Sequence, residues 1–204
     1  MERLSPHEQE VSPELPIEVP VIGFIGSSIT GKDTAAAFLT ERFGVVNLSI
    51  SAVIRQYAQT HNLPHATREE MWAARESMEA THGEDHIPRA LLKNAGKIYA
   101  GNDAKPSGFI INGIRTQSVA HAIIERGNYL LIAVHAQPET RFARKRAESL
   151  DDNLDFDSFM ASNKQEDDAI NSILPLADVH ITNESNLESY QAQLTHEMLT
   201  RFAR

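Results

Sequence analysis

Four residues near the start of the chain carry the clearest chemistry. In "GFIGSSITGKDTAAAFL" (23–39), Gly26, Gly31 and Lys32 stand at the spacing of a loop that wraps its backbone around phosphate oxygens. Gly26 and Gly31 permit backbone angles closed to other residues, so the N–H groups of Ser27, Ser28, Ile29, Thr30 and Gly31 converge on an anion. Lys32 adds a mobile positive charge for the terminal phosphates, and the helix it opens presents its positive dipole end. The next position ordinarily holds a hydroxyl that ligates Mg²⁺. Here it is Asp33, and Thr34 lies one residue later, about 100° further round the helix. A carboxylate serves a hard cation well, directly or through water, and negative charge is favourable in a first helical turn. Without the cation it repels a triphosphate. The pattern predicts nucleotide binding that depends strongly on Mg²⁺.

Such a loop works only between a strand and a helix, and the surrounding sequence supplies both. The apolar run "VPVIGFIG" (19–26) reads as a buried strand, and residues 31–43 place Ala35, Phe38, Leu39 and Phe43 on one helical face. Four more short apolar runs follow: "VVNLS" (45–49), "FIING" (109–113), "YLLIAVHA" (129–136) and "DVHIT" (178–182). Continuous apolar strands with little alternation suit burial on both faces. Helical patterns separate them. Thr67 and Glu70 form a capping box, Pro138 suits a first turn, and Leu187, Tyr190, Leu194, Met198 and Phe202 form one stripe over 186–203. This alternation predicts a parallel sheet between two layers of helices.

With 204 residues and 41% hydrophobic content, one core-bearing domain is expected over 19–204, preceded by a Pro- and Glu-rich mobile leader over 1–18. The absence of cysteine excludes disulfides, thiolate metal sites and cysteine nucleophiles, and fits a reducing compartment. No apolar run reaches membrane-spanning length, so neither a membrane partner nor a location other than the cytoplasm is expected. A net charge of −9 argues against a nucleic-acid surface. A small anionic ligand held by local cations remains compatible with it.

The segment "GKDT" after a strand resembles the loop of bacteriophage deoxynucleoside monophosphate kinases. The wider chain, over roughly residues 20 to 196, resembles nucleoside monophosphate kinases of the adenylate kinase type. It is more similar still to an uncharacterised, largely archaeal family of P-loop kinase-like proteins related to dephospho-CoA kinase. That resemblance rests on "INGIRT" (111–116), "AVHAQPETRFARKR" (133–146), "LDD" (150–152) and "LADVHITNESNLESY" (176–190). It implies a three-layer α/β P-loop NTPase fold with a five-stranded parallel sheet of order 2-3-1-4-5. It also implies an acceptor-binding helical segment near 51–100 and a lid near 138–170. In "LSISAVIR" (48–55), Ser51 and Arg55 match acceptor-phosphate contacts; in "NGIR", Arg115 matches a second phosphate ligand. Arg141, Arg144, Lys145 and Arg146 match lid cations, and Asn183 matches a loop beside the adenine ring. Two departures stand out. Asn112 replaces an Asp of the family, leaving it to hold Mg²⁺ only through water beside Asp33, and Glu148-Ser149-Leu150 lacks an arginine often found before Asp-Asp.

The residues themselves agree with these roles. Arg115 follows the third strand at its carboxyl end, where open α/β sheets place ligands, and Arg141, Arg144 and Lys145 share a helix face. Forked guanidiniums suit a transferring phosphoryl group. For each arginine the alternative is a solvated surface charge. Elsewhere, His82 and His86 sit four apart in "HGEDH", but Gly83 interrupts the helix between them and no third ligand is evident. Asp151, Asp152, Asp155 and Asp157 read as a solvated lid hinge, "NKQEDDAI" (163–170) as a polar helix face rather than an acceptor contact, and Trp72 as partly buried against the sheet rather than lining the acceptor pocket. Two functions follow. The first is an ATP- and Mg²⁺-dependent phosphotransferase in which Lys32, Arg115 and Arg141 carry the chemistry on a small phosphorylated acceptor. The second is a nucleotide-binding regulatory or interaction protein with weak or no turnover.

Overall fold

The structure is a computed structural model that describes residues 13–148 and 154–202. Five parallel strands form its centre: β1 (Val21–Ile25), β2 (Val46–Ser49), β3 (Phe109–Ile114), β4 (Tyr129–His135) and β5 (Val179–Thr182). Their spatial order is β2-β3-β1-β4-β5, as expected. The last strand and the first are therefore separated by β4, and the chain skips over a strand twice, from β1 to β2 across β3 and from β3 to β4 across β1. Each crossover is made by helix, as parallel strands require. The helices are α1 (Lys32–Phe43), α2 (Ile50–Thr60), α3 (Arg68–His82), α4 (His86–Gly101), α5 (Gln117–Ile124), α6 (Pro138–Glu148), α7 (Phe156–Ile173) and α8 (Leu187–Phe202).

The two faces of the sheet bury two separate cores. Ile22, Phe24, Ile110, Ile132, Val134 and Ile181 point towards α1 and α8. Val21, Ile25, Phe109, Ile111 and Leu131 point the other way, towards α2 to α5 and α7. Alternate residues of β1 thus face opposite cores, which is why its sequence is apolar throughout and why all five of its residues are buried. Local signals set the helix ends. The Thr67–Glu70 capping box is formed at the start of α3, α6 begins at Pro138, and α1 ends at Gly44, whose N–H returns to the Thr40 carbonyl. In α8 the inner stripe is Tyr190, Leu194 and Met198; Leu187 is 54% exposed and does not join it.

Composition assigns residues 13–18 to a mobile leader, but the structure docks them. Leu15 is buried, and Arg126 donates to the carbonyl oxygens of Leu15 (3.3 Å) and Pro16 (2.7 Å). One apolar side chain and two carbonyls matched to a guanidinium outweigh the composition of the segment. Residues 1–12 of that leader, and Ser149, Leu150, Asp151 and Asp152 of the lid hinge, lie outside the described residues.

Candidate functional site

The site is built on the carboxyl edge of the sheet, where β1 turns into α1. The turn has three positive-φ residues, Gly26 (148°), Ile29 (66°) and Gly31 (102°). A Cβ at Gly26 would meet the backbone oxygen of Val134, and one at Gly31 would meet the Asn183 amide, so both positions need glycine for space as well as for angle. Within the loop, Thr30 Oγ1 donates to the Ser27 carbonyl at 3.0 Å. Lys32, the first residue of α1, is 7% exposed and folds its Nζ onto the same carbonyl at 2.5 Å. Burial lowers its pKa to about 8, and the nearby Arg115 charge adds to the effect. An ammonium short of both water and a full counter-charge is prepared to receive an anion.

Behind the loop stand Asn183 and Tyr190. Asn183 Nδ2 donates to the Thr30 carbonyl at 2.9 Å, and the Tyr190 hydroxyl donates to the Gly31 carbonyl at 3.1 Å. Burial pushes the Tyr190 hydroxyl well above its ordinary pKa, so it remains a hydrogen-bond donor. Asn183 touches the cavity beside the loop, yet its amide serves as a prop. An apolar contact in that cavity comes from Leu187, and a cationic one from Arg144. Sequence reading missed Leu187 as a site residue because helical spacing places it on the core stripe.

Asp33 and Asn112 form one corner. Asn112 Nδ2 donates to Asp33 Oδ1 at 2.6 Å, joining the first turn of α1 to β3. Among the described residues, the buried Asn112 Oδ1 has no hydrogen-bond partner. A carboxylate oxygen beside an orphaned amide oxygen is an all-oxygen donor set that fits Mg²⁺ with several waters retained.

The lid arginines divide. Arg141, 4% exposed, donates through Nε to the Ser28 carbonyl at 3.0 Å and pairs with both oxygens of Asp167 at 3.1 and 3.2 Å. Arg144 donates to the Asn183 carbonyl at 2.7 Å and lies across the loop from Ile29, 3.4 Å from its oxygen. These two reach the loop. Arg146 is exposed and lies over the Phe142 ring, and neither it nor Lys145 lines the two cavities at the loop. Helical rotation explains Arg146: Arg141 and Arg144 occupy the face turned to the sheet edge, whereas Arg146, two residues beyond Arg144, is turned away from it. Glu184 holds the start of α6 in place, accepting from Gln137 N–H and the Thr140 hydroxyl, each at 2.5 Å.

On the other side of Ser28 opens a cavity of about 180 Å³ between β3, α2, α3 and α7. Ser51, Arg55 and Arg115, expected to hold an acceptor, all line it, and so does Trp72. Two further arginines join them. Arg75 is 4% exposed and is fixed by Glu79 Oε1 (2.8 Å) and Thr116 Oγ1 (2.9 Å). Arg68 donates to Asn163 Oδ1 at 2.6 Å. The one carboxylate among the lining residues is Glu166, 2% exposed, which takes two hydrogen bonds from Arg115 at 2.6 and 2.9 Å and one from the Ser28 hydroxyl at 2.7 Å. Burial works to raise its pKa, but the charge of Arg115, the Ser28 hydroxyl and Arg68 outweigh that and hold it below the usual carboxylate range. The sequence gives two faint signals for this group: Arg75 lies one turn after Trp72, and Glu166 falls in register with the apolar Phe159, Ile170 and Ile173 of α7. Far from the loop, the His82 and His86 rings stack with centroids 4.6 Å apart at the α3–α4 turn.

No protein-family profile matches the chain. Individual proteins do. A UPF0200 protein of Methanococcus maripaludis strain C6 is 26% identical over 176 residues, which cover 85% of this chain and 93% of that protein. A UPF0200 protein of Sulfurisphaera tokodaii is 24% identical over 190 residues, 90% and 97% of the respective lengths. Among solved structures, TT1252 from Thermus thermophilus matches with a TM-score of 0.60 at 17% identity, over 89% of this chain and 97% of that one. A shikimate kinase from Bacteroides thetaiotaomicron matches with a TM-score of 0.51 at 12% identity, with the same coverage. At those identities the structural likeness speaks for the fold alone. In sequence the chain is related to archaeal UPF0200 proteins, and in fold it is similar to the P-loop kinases.

Proposed function

We propose that the protein is an ATP- and Mg²⁺-dependent phosphotransferase acting on a nucleoside monophosphate or a similar small phosphorylated acceptor. One observation carries this reading: an arginine-lined cavity adjoins the loop after β1, the two joined by the hydrogen bond from the Ser28 hydroxyl to the cavity-lining Glu166, which also holds Arg115. In this reading the loop amides and Lys32 hold the β and γ phosphates of ATP, with Arg144 and Leu187 beside the base. Arg55, Arg68, Arg75 and Arg115 hold the acceptor. An acceptor phosphate oxygen, already anionic, attacks the γ phosphorus in line. The bond from that phosphorus to the β–γ bridging oxygen breaks, and ADP leaves with the electron pair. Arg141, fixed by Asp167 and Ser28, is placed to neutralise the moving phosphoryl group. Asp33, with Asn112 through water, would hold Mg²⁺, which supplies charge neutralisation at the β and γ oxygens. No protein nucleophile is required.

ADP release measured with Mg²⁺ across a panel of monophosphates and dephospho-CoA tests this. Acceptor-stimulated turnover that Lys32→Ala abolishes is the expected result. Tight ATP binding with no stimulation by any acceptor favours the second reading, a nucleotide-binding regulator. That alternative is supported by the existing Arg115–Glu166 ion pair and by an amide at position 112 where an acid would hold metal more firmly.

A further inference from the structure

Every hydrogen bond that Glu166 receives comes from Arg115 or from the side chain of a residue in the loop after β1. Its Oε1 takes both Nε and Nη2 of Arg115, and its Oε2 takes the hydroxyl of the phosphate-loop residue Ser28. Arg68 adds its charge at 3.4 Å from Oε2. A planar carboxylate bound by a forked guanidinium and a hydroxyl reproduces what a phosphate monoester asks of a site. Two anions cannot share those donors, because like charges that close repel strongly and neither is screened by water in so buried a place.

We propose that Glu166 is a resident anion, seated where the acceptor phosphate binds, and that binding exchanges one anion for the other and displaces α7. The proposal rests on the reading of Arg115 as an acceptor-phosphate ligand. The helix is suited to transmit the exchange. Asn163, Glu166 and Asp167 lie at i, i+3 and i+4 on one face of α7, and each holds a different arginine: Arg68, Arg115 and Arg141. Expelling Glu166 therefore strains the neighbouring contacts to Arg68 and Arg141, so filling the acceptor seat also frees the arginine that faces the phosphoryl-donor loop. With the seat empty, the same contact keeps Arg55, Arg68 and Arg115 from facing one another without a counter-ion, Arg75 having its own in Glu79. Glu166 acts here as a competitor built into the chain.

Competition has a sign that a purely supporting role lacks. Inorganic phosphate and pyrophosphate are titrated by calorimetry into the full chain and its Glu166→Gln variant, without ATP. If the released form is about a tenth of the population, removing the competitor tightens phosphate binding roughly ten-fold. Equal or weaker binding by the variant overturns the proposal, since a residue that only positions Arg115 would weaken the site when removed. Should the variant fold poorly, hydrogen exchange on the wild type decides. Phosphate is expected to speed exchange across residues 160–170 while slowing it across 68–75, which carries Arg68 and Arg75, and protection of both segments overturns the proposal. The outcomes separate from those of the kinase reading. Acceptor-stimulated turnover with no gain in the variant removes the latch alone, whereas a gain without turnover keeps the latch and removes the kinase.

Discussion

The loop after β1 and the arginine-lined cavity are joined by the Ser28–Glu166 hydrogen bond but are assembled by different means. The turn of the loop is set by glycine backbone angles and by contacts over a few residues, Thr30 and Lys32 both returning to the Ser27 carbonyl three and five positions away. Asn183, Tyr190 and Arg141 prop it from distant segments. The cavity is held by pairs far apart in the chain. Arg75 meets Thr116 across 41 residues, Arg115 meets Glu166 across 51, and Arg68 meets Asn163 across 95. A short-range device survives as a motif because spacing encodes it. A long-range one exists only once the sheet and three helices have packed. The difference also predicts separable damage: changes on the loop should remove the nucleotide, and changes in the cavity should spare it.

The largest effect is expected at Gly31. In Gly31→Ala the side chain collides with Asn183 at a φ of 102°, costing about 1–3 kcal/mol of stability. ATP binding should be lost by calorimetry while phosphate binding in the cavity persists. Loss of both would merge the two regions into one unit. Next is Arg75→Ala, which leaves Glu79 without its partner and should weaken acceptor or phosphate binding by about 2–3 kcal/mol with ATP affinity unchanged. Exposed Arg55→Ala should cost about 1 kcal/mol or less in the same titration. A larger effect at Arg55 than at Arg75 would reverse the assigned roles.

At the corner between the regions, Asp33→Asn should weaken MgATP binding about ten-fold and strengthen metal-free ATP binding. Parallel losses with and without Mg²⁺ would make Asp33 merely structural. The smallest effect is on pH. Lys32 titrates at about 8 when folded, below its ordinary 10.5, so the unfolded chain binds the proton more tightly. Ligand-free stability should therefore be reduced below about pH 8 and rise from there towards 10.5. MgATP needs the ammonium, so its affinity should run the other way, falling above pH 8 by up to about ten-fold per unit. Thermal melts and titrations over the same pH series check both slopes.

The architecture was largely legible. Five apolar runs gave five strands near their expected bounds, and the sheet order followed the resemblance. Ser51 and Arg55 were placed by the resemblance, and Arg115 by the resemblance and by its position after the third strand; the structure gathers them around one cavity. Arg68 and Arg75 escaped notice because a charged residue on a helix is ordinarily solvated; only the packing of α3 on α2 and the reach to Thr116 bury Arg75. Glu166 reads in sequence as part of a polar face because its three partners lie in other elements. The lid cations divide for a local reason. Four basic residues within six positions cannot all face one loop on a helix that turns about 100° per residue.

By itself the sequence determined where backbone must bend to surround an anion, which segments lie inside, and that a carboxylate follows the loop lysine. These are properties of neighbouring residues: allowed φ, apolar periodicity and first-turn charge. Tertiary structure alone decided that Asp33 meets Asn112, that Arg75 rather than Lys145 lines the cavity, and that Glu166 sits among the arginines. The physical reason is burial. A charge acquires a strong partner and a perturbed pKa only when distant segments close over it and exclude water, and that closure is a property of the packed sheet and helices.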